Sequence, residues 1–165
     1  MRRLHTVLLL IISLSAVLFA QSRRGPSTAE ERQRAVTLAN SMESNPLGAD
    51  KKEQQWLLRW LIEIPDISIS VCSATMPWEK NYKYAGELMS IEMSSMAKKA
   101  IEDPEKSSDK AAVGLAGLES ALKGYSKILE ANPSAHSKKM DEMLKLQAAG
   151  TLGEYVTKEW KKSCK

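Results

Sequence analysis

Apolar side chains recur every three or four positions along most of this chain, the spacing that gathers them on one face of an α-helix. Trp56, Leu57, Trp60, Leu61 and Ile64 form one such stripe. Asp50, with Glu53 three residues on, opens it, and Pro65 closes it because its ring removes a backbone donor and restricts Ile64. The longest regular stripe, Ala111, Leu115, Leu118, Leu122, Tyr125 and Leu129, predicts a helix from Lys110 to Asn132 capped by Asp109. Gly114, Gly117 and Gly124 lie within it together with Ala121. Each glycine lowers helix propensity by about 1 kcal/mol relative to alanine, which implies that another backbone comes close on that side.

Ser27-Thr28-Ala29-Glu30-Glu31 holds two overlapping capping boxes and predicts a helix running to Ser44, ended by Asn45-Pro46-Leu47-Gly48. Its inward positions are Ala35, Val36, Leu38, Ala39 and Met42. Tyr82, Ala85, Met89, Met93, Met96 and Ala100 predict another from Glu79 to Glu102. Residues 135–149 carry Met140, Met143, Leu144 and Ala148 and stop at Gly150; Thr151, with Glu154 at i+3, opens the last helix, which turns Leu152, Tyr155, Val156 and Trp160 inward. Between Pro65 and Cys72, Ile67, Ile69 and Val71 alternate with polar residues at strand period. No second run of that kind supplies a partner, and a buried lone strand would leave backbone groups unpaired, so an extended connector or irregular turn is expected. The pattern predicts an all-α bundle of five to six helices over residues 27–165, preceded by an exposed lead-in at residues 21–26.

The first twenty residues read differently. Met1-Arg2-Arg3 is followed by an apolar run to Ala20 broken only by His5, Thr6, Ser13 and Ser15. Charged start, short apolar stretch and small closing residue are the parts of a secretory signal peptide, cut after Ala20 and shorter than the roughly 20 apolar residues of a membrane span. The expected address is the periplasm or the medium, with no stable membrane insertion after cleavage. Export changes how the two cysteines read: outside the cytosol, Cys72 and Cys164 are expected to form a disulfide.

Composition then narrows the chemistry. The chain has 165 residues and net charge +4; without the leader it loses Arg2 and Arg3, leaving +2, a single histidine and no phenylalanine. That charge gives no electrostatic case for nucleic acid, and the pairs Lys98-Lys99, Lys138-Lys139 and Lys161-Lys162 read as solvated faces. A Ser-His-Asp or Cys-His site has only His136 to use, in a Pro-Ser-Ala-His-Ser turn without a Gly-x-Ser-x-Gly elbow. No phosphate-cradling loop, calcium loop or metal-ligand spacing is present, so no cofactor and no metal are expected.

Two constellations stand out. Glu63 and Asp66 flank the proline stop of the Trp56–Trp60 helix. They are either a helix end with its cap or, if one is buried with a raised pKa, the acid pair of a small hydrolase. Trp56, Trp60, Trp78, Tyr82 and Tyr84 concentrate aromatic bulk between residues 56 and 84, either as core or as the lining of a groove for a peptide or sugar. Ala121-Leu-Lys-Gly-Tyr125-Ser-Lys-Ile128-Leu-Glu-Ala-Asn-Pro133 resembles the second helix and closing proline of a tetratricopeptide repeat, over about half of one repeat. The first-helix places fall on Glu105, Ser108 and Asp109, which do not fit, and no second copy follows, so no family is assigned. With no catalytic set complete, the expected function is a non-catalytic module that binds a protein or peptide.

Overall fold

Six α-helices form along residues 24–164, the part of the chain that the computed structural model describes: α1 (Ala29–Ser44), α2 (Lys51–Glu63), α3 (Ala85–Glu102), α4 (Lys110–Ala131), α5 (Lys138–Ala148) and α6 (Leu152–Ser163). Short 3-10 turns stand at Ser73–Thr75 and Pro104–Lys106, and no strand forms among the described residues. The architecture is the expected all-α bundle. The leader and its cut after Ala20 lie outside the described residues.

Most of the caps follow from local chemistry. Of the two overlapping boxes ahead of α1, the one used is Thr28 with Glu31, each side chain accepting the other's backbone N–H. Ser27 is drawn instead to Asp66. Asp50 caps α2 through the Lys52 N–H, while Glu53 turns away to Arg34 rather than closing a box. Asp109 caps α4 through the Ala112 N–H. Gly150 ends α5 at φ 72°, with the Thr151 N–H on Leu146 C=O and its own N–H on Gln147 C=O, a Schellman closure that needs a residue free of a Cβ. Thr151 therefore spends its hydroxyl on Leu146, and the expected cap on α6 does not form.

The centre of the molecule is α4. One side carries Leu118, Leu122, Tyr125 and Ile128 into a core shared with Met140 and Met143 of α5 and Leu152 and Val156 of α6. The other side carries the glycines against α3 and, at one end, against Trp160. The close approach expected there is made mostly by side chains. A Cβ on Gly124 would lie 2.5 Å from Ile91 Cδ1, and one on Gly114 would lie 2.5 Å from the Trp160 ring. Only at Gly117 does backbone come near, with the Glu92 carbonyl 3.0 Å from such a Cβ. A second core, built from Ala35, Met42, Leu57, Trp60, Ile64, Ile67 and Ile91, joins α1, α2 and α3.

Residues 79–84 depart from the expected helix, which begins only at Ala85. Their apolar spacing is helical, yet long-range bonds hold them as a strap across the α4–α5 link. Tyr82 Oη donates to Ala135 C=O (2.8 Å), Asn132 donates to Tyr84 Oη (2.8 Å), and Glu79 accepts from Ser137 Oγ (2.6 Å) and the Lys139 N–H (3.2 Å). The Met stripe shifts accordingly: Met96 is buried, Met93 half-buried and Met89 exposed, while Leu88 and Ile91 take the interior.

Cys72 and Cys164 are bonded, their Cα atoms 5.6 Å apart and 92 residues apart in sequence. The stretch before Cys72 is the extended connector the sequence allowed, with Ile67 buried and Val71 exposed. With Met96, Val113 and Trp160, Cys72 makes a third small core that ties the end of α6 to the middle of the chain.

Candidate functional site

The aromatic residues singled out from sequence do not converge. Trp60 is buried in the α1–α2–α3 core and Trp56, half-buried, stacks on it with ring centroids 5.8 Å apart at 17°. The Arg34 guanidinium lies over the Trp56 ring, 3.9 Å from a ring centroid, while one of its nitrogens reaches Glu53 at 2.9 Å. The Trp60 indole N–H has no acceptor in hydrogen-bonding geometry; it faces the Glu31 carboxylate closely enough to act on it electrostatically. Trp78 and Tyr82 pack instead on the α4–α5–α6 core, where Tyr82 meets Tyr125 edge-on at 6.3 Å. These rings serve two separate interiors.

Glu63 and Asp66 also part company. Glu63 is exposed and pairs with Arg24 at 3.2 Å; the same arginine holds Glu31. Of the lead-in, Gly25 and Pro26 are exposed, whereas Arg24 is half-buried by these two pairs. Asp66 accepts from the Ser27 N–H (2.8 Å), Ser27 Oγ (2.7 Å) and Arg32 (2.8 Å). Burial works against its charge, but the Ser27 donors and Arg32 outweigh it and hold the carboxyl below the usual carboxylate range. That is the opposite of the raised carboxyl an acid catalyst needs. A cavity of about 290 Å³ beside it is lined by Arg32, Asp66, Ile67, Ser68, Ile101 and Ser107, without Glu63. The geometry is that of a clamp from the residues at the opening of α1 to the end of α2.

His136 gains a carboxylate but no nucleophile. Its Nδ1 is 3.1 Å from Asp141 Oδ2, and the ring is largely exposed. The neighbouring Ser137 hydroxyl donates to Glu79 and accepts from the Met140 N–H, so it is occupied as the cap of α5. Tyr125 Oη accepts the Ser137 N–H (2.8 Å) and donates to Asp141 (2.6 Å). Burial and that second bond push its phenol above its ordinary range. The Ser137 and Lys139 donors, with a backbone N–H of Glu79 itself, overcome burial and hold the Glu79 carboxyl low. The cluster builds a helix start, and its buried hydroxyl, Ser137, is committed to that role.

Two features escaped the sequence reading. The outer face of α2 bares one large apolar side chain among charged ones: Leu58 is half-buried, and Ile62, one turn on and on the same face, is 83% exposed. Leu47, in the turn leading into the helix, is 46% exposed. The other is Glu92, wholly buried in the middle of α3. Burial raises its pKa to about 8, with the Thr75 hydroxyl opposing. One signal lay in the spacing, because Leu88 and Met96 stand four positions either side of Glu92 and put it on an inward stripe.

Among the described residues no group of three or more His, Cys, Asp or Glu is placed to hold a metal ion, and no helix is long and apolar enough to cross a membrane. The chain matches no protein-family model, no curated protein and no solved structure.

Proposed function

We propose that this chain is an exported helical module that acts by binding a protein or peptide and carries out no chemistry of its own. The observation that supports the reading best is the outer face of α2. An isoleucine 83% exposed, beside a leucine on the same face, costs solvation in the isolated chain and returns it when covered. The face stands on a helix that Leu57, Trp60 and Ile64 anchor in the core, so it is rigid before a partner arrives. The disulfide and the signal-like leader support an oxidising compartment outside the cytosol.

The test is capture from the native compartment with the processed protein, run beside Ile62→Lys. A specific partner held by the wild-type chain and lost by the variant, with unchanged circular dichroism, is the expected result. The same partner on both, or turnover of a glycan or peptide by the purified protein, overturns the reading.

A further inference from the structure

Thr75 is wholly buried, and its Oγ1 lies 3.0 Å from the Cys72 carbonyl and 3.3 Å from Glu92 Oε1. A hydroxyl carries one proton and serves one of these acceptors at a time. With Glu92 protonated both contacts are made: the carboxyl O–H donates to Thr75 Oγ1, and Thr75 donates onward to Cys72 C=O. With Glu92 ionised the carboxylate brings no proton, so Thr75 must turn to it. The Cys72 carbonyl then keeps only the Thr75 N–H (3.0 Å), and Glu92 Oε2, buried without a donor in either state, now shares a negative charge.

Nothing nearby compensates such a charge. Thr75 of the 3-10 turn bonds Glu92, and Gly117 of α4 faces Glu92 and Met96 together. Among the described residues, no charged or titratable side chain from α1, α4, α6 or the turn acts on it; only burial and the Thr75 hydroxyl do. On α3 itself, Lys98 is taken by Asn40 and Lys99 by Asp103. Two walls of the site are long helices. The third is the three-residue turn Ser73–Thr75, flanked by irregular chain.

We propose that Glu92 is a proton-controlled latch on the disulfide turn: its neutral form holds Thr75 and Cys72 in place, and loss of the proton releases the turn to water. Because Cys72 is bonded to Cys164, the release reaches the end of α6 and leaves α3 and α4 packed. The raised proton affinity of the buried carboxyl sets the transition near pH 8. The latch is independent of the binding reading.

The experiment is the rate at which a water-soluble phosphine reduces Cys72–Cys164, normalised to a small disulfide at each pH. If reduction proceeds through the released turn, the wild-type rate rises about tenfold between about pH 7 and about pH 9, following the ionised fraction. Glu92→Gln keeps a donor toward Thr75 and should stay slow at both; Thr75→Val, whose side chain can bond neither Glu92 nor the Cys72 carbonyl, should be fast at both. A wild-type rate with no step, or a step retained in Glu92→Gln, overturns the latch. Should the variants not fold, infrared spectroscopy of the wild-type chain still decides. The carbonyl band of a buried, protonated carboxyl must be present at about pH 6 and gone by about pH 9.5; its absence at the lower pH overturns the proposal.

Discussion

Replacing both cysteines by serine removes a constraint whose size follows from the structure. The bond closes 92 residues of chain, and in the chain-entropy account a loop of that length stabilises the fold by about 4–5 kcal/mol. The native helices should survive the loss. Leu152, Val156 and Trp160 still anchor α6, and Gly114 still receives the Trp160 ring. The cost therefore falls on the denatured chain, which regains its freedom, and far-ultraviolet circular dichroism at room temperature should be nearly unchanged. For a domain of this size, each kcal/mol moves the melting midpoint by roughly 3–4 °C, so Tm should fall by roughly 12–20 °C. Thermal melts of the double variant and the oxidised wild type, at matched pH, measure the difference. An unchanged Tm, or helix lost from α6 alone with the rest melting as before, refutes the reasoning.

Three further outcomes are expected. Gly117→Ala should destabilise by roughly 1–3 kcal/mol despite alanine's better helix propensity, because the new Cβ meets Glu92 Cγ at 2.9 Å and its carbonyl at 3.0 Å. Gly86→Ala, with nothing within 4 Å, should gain up to about 1 kcal/mol; chemical denaturation of both variants checks the pair. Glu92 has a folded pKa above its ordinary 4.5, so its stabilising contribution is complete below that value and is lost as pH rises toward about 8. Stability should fall by roughly 4–5 kcal/mol across that window, and Glu92→Gln should flatten the profile. Asp66 runs the other way: its lowered pKa stabilises the fold above the ordinary value of 3.8 and is lost as pH falls below it. Asp66→Asn should remove that acid-side slope and free Ser27, read as faster amide exchange at residues 24–28.

What could be read from the sequence was whatever neighbours decide. Asp109 caps α4 and Pro65 stops α2 because each acts within a turn of itself. The extended connector after Pro65 was legible as soon as no partner strand could be found. The strap at residues 79–84 was not, because Tyr82 and Ala85 keep helical spacing while the bonds that hold the chain out of the helix involve Asn132, Ala135 and Ser137, some 50–60 residues away. The choice between two capping boxes before α1 was likewise made at a distance, by Asp66. Glu92 was hidden by its residue type. A glutamate on a helix is normally solvated, and only the glycine opposite, on another helix, makes room for it. The α2 face stayed hidden for the converse reason: apolar residues on several sides of one helix do not say which side the fold leaves bare.

The strap belongs by order to the first half of the chain and by packing to the second, and the disulfide turn waits for a cysteine 92 residues further on. A ribosome delivering this polypeptide from the front therefore leaves these two segments waiting for partners made later, while the core of α1, α2 and α3 has all its residues by Ala100.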